Sequence, residues 1–355
     1  MKKEIGAALV VALQMITLTL IGLMAPLAGG PQQSANAATY AVTADFVPDD
    51  TTNYNTLTVL SAGNFVIQKA NATVVVMTYN VTYDGQSHTA SYTITGVNGE
   101  TGATVGTVTL NTTHTNAGTY STDSWSFTGT ANYNDIASTT ITDTINKANA
   151  TVVVTPYSVT YDGMSHTAAV TSITGVNGEI GATVGTVDVS NTTHTNAGTY
   201  ASDYWFFTGT ANYNNIGNTT ITDTIGYGTC TGSDPGGVIL PPINSDGTSV
   251  YKRKAGSTIP VKFTVCGANG NPISDPYAVF SGYPNGAQLT MLSHLRGTVD
   301  NVNEVGTNDI PNAAFTFTGG QWHFNMATTN LEVGTYTYHI NLAYGPGITF
   351  VVGLK

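Results

Sequence analysis

The sequence predicts an all-β fold, built as tandem sandwich domains on an extended chain. Three observations carry that prediction. Short Thr- and Val-rich runs recur between turn signals, and no stretch beyond residue 37 sustains a helical period. A unit occurs twice in tandem, over the 78 residues Lys69–Asn146 and the 80 residues Lys147–Gly226. A Gly-Thr-Tyr tripeptide recurs at the same place in each copy. Composition narrows function further. Only 9% of the 355 residues are charged, and 10 Lys plus Arg face 21 Asp plus Glu for a net charge of −11. No basic face can form, which excludes nucleic acid as a partner. The exposed surface must be made of Thr, Ser, Asn, Gly and Tyr.

The chain opens with Met1-Lys2-Lys3, an apolar run from Ile5 to about Leu27, and the small-x-small triplet Ala35-Asn36-Ala37. This pattern predicts a signal peptide over 1–37, cleaved after Ala37. An uncleaved anchor is the alternative, because the run is long enough to span a bilayer. Gln14, Thr17, Thr19 and Pro26 weaken it as a permanent span. Either reading places the remainder outside the cytoplasm, extracellular or at the cell surface, with no membrane span after cleavage. Residues 38–68 hold a truncated repeat. Ala38-Thr39-Tyr40 aligns with Gly118-Thr119-Tyr120, and Asn53-Tyr54-Asn55 with Asn132-Tyr133-Asn134. A half-unit cannot bury its own apolar face. It must pack on its neighbour, pair with another chain or stay partly ordered.

The full copies occupy 69–146 and 147–226. Strands are expected at Thr73–Thr78, Asn80–Tyr83, Thr104–Leu110, Trp125–Thr128 and Thr139–Ile145, with Asp84-Gly85 and Asp162-Gly163 as tight turns. About seven short strands in such a length is the scale of an immunoglobulin-like sandwich. Asn116-Ala117-Gly118-Thr119-Tyr120 and Asn196-Ala197-Gly198-Thr199-Tyr200 match the tyrosine corner of that fold. Thr122 and Ser202 stand where antibody domains carry Cys, so Trp125 and Trp205 are expected to help fill the core instead. The second copy gains one residue near Ala169–Ser172 and one near Ser190, expected in loops or strand ends. With Tyr83-Asp84-Gly85 and Tyr161-Asp162-Gly163, these units resemble the YDG/MBG class of bacterial Ig-like repeats. The resemblance implies a stalk or display role on a secreted or surface protein and carries no catalytic residue.

Residues 227–247 are Gly- and Pro-rich and read as a linker or irregular entry segment. From 248 to 355 the period-2 pattern returns, with another Gly-Thr-Tyr corner at Tyr336. Pro260-Val261-Lys262-Phe263, Trp322-His323-Phe324-Asn325 and Gly334–Tyr338 make this stretch similar to the PxKF-type domain. That resemblance implies a small extracellular β domain. Cys230 and Cys266 are the only cysteines, and export makes a disulfide between them the default.

Chemistry-bearing motifs are sparse. His88 pairs with His166 and His114 with His194 through the repeat, which marks structural positions rather than a duplicated catalytic centre. No HExxH, GxSxG, P-loop or dinucleotide-binding glycine pattern occurs. No catalytic residue, cofactor-binding residue or metal ligand is therefore assigned. Asp49, Asp50, Asn53 and Asn55 form an oxygen-rich cluster that makes Ca²⁺ the one cofactor to weigh, though no Asp-x-Asp-x-Asp-Gly loop is present. Tyr54, Tyr133 and Tyr213, each in an Asn-Tyr-Asn setting, are the candidate ligand-contact aromatics, with local packing as the competing reading. The expected function is a non-enzymatic spacer or adhesion module partnered by cell-surface proteins or glycans. A carbohydrate- or Ca²⁺-dependent recognition module is the alternative, and an extracellular hydrolase the third.

Overall fold

The computed structural model describes residues 16–19, 36–232, 234–252, 258–295, 303–304, 314–329 and 331–355. Most of residues 1–37, where a signal peptide is expected, lies outside them. The fold is all-β, in tandem β-sandwich domains, and divides into two compact units, Met1–Lys147 and Ala148–Lys355.

In the first unit, strands β1 (Ile16–Thr19), β2 (Ala38–Phe46) and β3 (Leu57–Ile67) form an antiparallel sheet in that order. The β2–β3 hairpin is the truncated repeat. Residue 11-long β3 is exposed along nearly its whole length, including Leu57, Val59, Leu60, Phe65 and Val66. Hydrogen bonds join the hairpin's entry to the next domain: the Ala37 amide donates to Asn132 Oδ1 (2.7 Å) and Asn132 Nδ2 to Asn36 Oδ1 (3.1 Å).

The first full repeat has β4 (Thr73–Met77), β5 (Asn80–Thr82), β6 (Ser91–Thr95), β7 (Gly106–Asn111), β8 (Gly118–Gly129) and β9 (Ile136–Asn146). A two-stranded β4-β6 sheet faces a four-stranded β5-β9-β8-β7 sheet. Alternation along the strands puts Ile94, Val108 and Phe127 between them, with Val105 and Tyr133, while Trp125 packs partly buried at the side. The Asp84-Gly85 turn does not close a hairpin. Asp84 Oδ1 accepts the Gln86 amide (2.8 Å) and Gly85 sits at φ 75°, so the chain leaves β5 in one sheet and enters β6 in the other.

The second unit begins with the second repeat: β10 (Thr151–Thr155), β11 (Ser158–Thr160), β12 (Ala169–Thr174), β13 (Gly185–Asp188), β14 (Gly198–Gly209) and β15 (Ile216–Gly226), in the same topology. Neither extra residue is simply absorbed by a loop. The first produces a bulge in the β10–β12 pairing between Val153 and Val154, where β4–β6 is regular. The second ends β13 at Asp188, two residues short of β7, and starts a 3-10 turn at Ser190–Thr192.

The C-terminal domain has β16 (Val250–Tyr251), β17 (Thr258–Phe263), a one-turn helix α1 (Pro276–Val279), β18 (Leu289–Leu295), β19 (Asn303–Glu304), β20 (Thr316–Thr318), β21 (Gln321–Ala327), β22 (Gly334–Ile340) and β23 (Ile348–Leu354). Sheets β16-β23-β22-β18-β19 and β17-β21-β20 enclose an aromatic core in which Phe280 meets Trp322 edge-on (centroids 5.0 Å). Residues 227–247 are not a free linker. The Gly228 amide donates to Cys266 O (2.7 Å), that of Gly237 to Thr264 O (2.7 Å) and that of Leu240 to Lys262 O (2.8 Å), while Ile239 and Ile243 join the core. These residues are the irregular entry segment, the other reading the sequence allows: Gly and Pro here shape an edge that covers β17. Cys230 and Cys266 form the expected disulfide, 36 residues apart. Tyr227 and Tyr161 fasten the second repeat to this domain. The Tyr227 hydroxyl donates to Ala278 O and Val279 O (3.1 and 3.0 Å), and Tyr161 O accepts the Ala268 amide (2.7 Å).

Candidate functional site

The three candidate contact aromatics have different fates. Tyr54 is 60% exposed on the hairpin, whereas Tyr133 and Tyr213 retain 4% and 1% and are core residues. The Tyr133 hydroxyl accepts the Val97 amide (3.2 Å) and hydrogen-bonds the Glu100 carboxylate, holding the Val97–Glu100 turn; Tyr213 accepts the Val176 amide in the same way. These two rings therefore cannot present a face to a ligand. In the two full repeats the Asn-Tyr-Asn pattern marks a turn whose Tyr closes inward.

The oxygen-rich cluster is also committed locally. Asp50 Oδ1 accepts the amides of Thr52 and Asn53 (3.0 and 3.2 Å), and Oδ2 accepts Asn53 Nδ2 (2.6 Å), which holds the Asp50 carboxyl below its ordinary range. Among the described residues, no group of three His, Cys, Asp or Glu is placed to hold a metal ion.

The tyrosine corners stand as expected. Tyr120, Tyr200 and Tyr336 donate from their hydroxyls to Asn116 O (2.6 Å), Asn196 O (2.6 Å) and Glu332 O (3.0 Å), and Tyr40 does the same to Asn36 O (2.8 Å). Each corner of a full domain carries a stacked histidine. His114 lies 3.4 Å from Tyr120 at 3°, His194 3.5 Å from Tyr200 at 3°, and His294 4.0 Å from Tyr336 at 7°.

In the repeats this stack leads to a buried acid pair. His114 Nε2 lies 2.8 and 3.0 Å from the two Asp123 oxygens. Asp123 sits just past the β8 bulge, beside Asp143, the cross-strand partner of Tyr120. Asp143 is fully buried; Oδ1 accepts the Tyr79 amide (2.8 Å), and Oδ2 faces no donor. Burial first, and then the Asp123 carboxylate, raise the Asp143 carboxyl above its ordinary value. A protonated Asp143 that donates to Asp123 satisfies both oxygens and leaves one buried charge instead of two. Tyr79 donates its hydroxyl to Thr112 O (2.9 Å), and burial pushes that phenol up to about 12. His194, Asp203, Asp223 and Tyr157 repeat the arrangement. Asp143 and Asp223 are fully buried and have no surface from which to meet a substrate. These pairs carry no local sequence signature, because their members lie twenty residues apart. Recurrence of Asp123 and Asp143 as Asp203 and Asp223, in register, was the available signal.

No protein-family model matches the chain, and no curated protein matches it in sequence. Solved structures do align with it. One is invasin, a bacterial integrin-binding protein, at 11% identity and TM-score 0.26, over 81% of this chain and 60% of that chain. Another is the three N-terminal domains of the bacteriophage RB49 highly immunogenic outer capsid protein, at 12% identity and TM-score 0.28, over 81% and 98%. A third is extracellular domains 3–5 of Drosophila OTK, at 13% identity and TM-score 0.20, over 95% and 97%. The alignment thus spans about three fifths of the invasin chain.

Proposed function

We propose that this chain is an exported, non-enzymatic surface protein whose tandem β-sandwich domains act as spacer and adhesive surface, with cell-surface proteins or glycans as partners. One observation supports it above others: the buried ionisable groups of both repeats are spent on the fold's own hydrogen bonds, as in Tyr79–Asp143 and Tyr157–Asp223. The outward faces are left mainly to uncharged polar side chains, as in the exposed Thr positions of β9 and β15. Such a face has little electrostatic steering, so adhesion would be short-range and multivalent.

The test is adhesion of beads bearing the full chain to surfaces coated with glycans and matrix proteins, with and without a calcium chelator. Saturable adhesion that rises with bead valency and ignores the chelator is the expected result. Chelator-sensitive adhesion, or turnover of a coated substrate, would overturn the reading.

A further inference from the structure

The two repeats are close copies of one scaffold, so residues that differ at equivalent positions stand out against a built-in control. On the second repeat's four-stranded sheet, at its β13 edge, is an open groove of about 550 Å³, lined by Phe206, Thr208, Thr186, Asp188, Ser190 and Thr167 together with Val187 and Val189. Four of these are cross-strand neighbours: Asp188 pairs with Phe206, and Thr186 with Thr208. They share the face opposite to Phe207, which points into the core.

The first repeat has Thr109 opposite Ser126 at the first of these pairs, and Thr107 opposite Thr128 at the second. The second pair is thus unchanged, while the first has become an acid and an aromatic ring. Two residues upstream of Phe206 on the same face, Tyr204 replaces Ser124. The extra residue at Ser190 acts at this spot as well. It stops β13 early, and the 3-10 turn that follows walls one side of the groove. The Ser190 amide donates to Asp188 Oδ1 (2.8 Å), which fixes the carboxylate at the rim. A carboxylate offers about four acceptor sites, and the Ser190 contact occupies only part of them. Four sequence differences, of which Asp188, Phe206 and the extra residue at Ser190 fall in the lining, therefore gather on this part of the face.

The chemistry of the lining selects its ligand. No cation lines the groove, so a phosphate or sulfate has no counter-charge. Thr167, Thr186, Thr208 and Ser190 line it beside Val187 and Val189, so its ligand must offer hydrogen-bonding groups as well as apolar surface. Phe206 is half-buried and offers a negative π-face to weakly positive C–H groups. A neutral sugar ring presents such a C–H face, and its adjacent hydroxyls are donors for a carboxylate and for hydroxyl oxygens. The volume is within the range of small-ligand sites, roughly 300–1,000 Å³.

We propose that the second repeat binds a neutral oligosaccharide in this groove, with Phe206 as the stacking platform and Asp188 as the acceptor for two sugar hydroxyls. The site goes beyond the spacer and adhesion reading and stands on separate observations. It also relocates the aromatic contact from Tyr133 and Tyr213 to a ring the outer face does present.

The test is titration of the full chain with neutral oligosaccharides by calorimetry and by chemical-shift mapping. Two variants restore first-repeat residues, Phe206→Ser and Asp188→Thr, and both lie on the outer face away from the core. The result expected is binding that shifts resonances around Asp188 and Phe206, weakened at least tenfold by each substitution while the melting temperature stays near that of the parent. If the folded chain binds no neutral saccharide, or binds it equally well with Phe206→Ser, the proposal fails. It also fails if only peptides bearing aromatic residues bind at Phe206. Bead adhesion that persists in Phe206→Ser would keep the spacer reading while the saccharide site falls, so the two readings fail separately.

Discussion

Asp143 and Asp223 give the repeats a pH dependence with a definite sign. Their carboxyls are raised above 3.8 in the folded state. As pH rises past 3.8 the unfolded chain loses these protons first, so stability present below that value is lost as pH climbs through the folded values. Asp84 and Asp162 are lowered by amide and His hydrogen bonds, so their contribution is present above 3.8 and lost only on stronger acidification. Melting followed by circular dichroism should therefore show a contribution from Asp143 and Asp223 that grows as pH is lowered toward 3.8. Asp143→Asn with Asp223→Asn should flatten that gain, since an amide keeps the Tyr79 and Tyr157 contacts and donates to Asp123 and Asp203 without titrating. Asp143→Ala should cost about 1–3 kcal/mol in chemical denaturation, because the Tyr79 amide is left without its acceptor. Tyr336→Phe, with its ring fully buried, should cost on the order of 1 kcal/mol through the lost Glu332 bond. The corners were legible in the sequence because each bond closes within four residues. The acid pairs were not, because they depend on a strand register and a bulge that no local pattern encodes.

At the level of elements, the truncated repeat is the least finished part of the described chain. Its hairpin keeps the register of the complete units: Ala38 pairs with Ile67 as Gly118 does with Ile145, but Phe65 stands opposite Tyr40 where Asp143 stands opposite Tyr120. The missing half was legible as a missing sequence block, and its consequence is the exposed apolar length of β3. Such an edge promotes association. Val66→Lys on β3 should raise the concentration at which the protein scatters light, with no change in melting temperature, because Val66 is 54% exposed. Turn dipeptides were a weaker guide. Asp-Gly marked a reversal correctly, yet which sheet the next strand joins is decided by core packing on its other side. The bulge beside Val153 makes the same point, since a one-residue insertion within a pairing is absorbed by backbone twist and leaves the face pattern intact.

For the molecule as a whole, the disulfide separates the two units by their chemistry. Closing a 36-residue loop should add about 3–4 kcal/mol in the chain-entropy model. Calorimetry of the Cys230→Ser, Cys266→Ser double variant should show the Ala148–Lys355 transition shifted down and that of Met1–Lys147 in place. All-β tandem organisation was legible from repetition and period alone. For residues 227–247 the sequence left linker and irregular entry segment open, because Gly and Pro report backbone shape and say nothing about what that backbone covers. The strand order within each repeat has a mechanical meaning. Strand β5, near a unit's entry, lies parallel to β9 at its exit, and the Tyr83 and Thr144 amides extend that ladder to Asn146 O and Tyr79 O (2.8 and 2.9 Å). Tension on the two ends of the chain would slide these strands along each other, straining every rung at once, whereas a hairpin pulled from its open end parts one rung at a time. Ser158–Thr160 against Thr224–Gly226 repeats the arrangement, so each unit is built to yield abruptly under stretch instead of creeping.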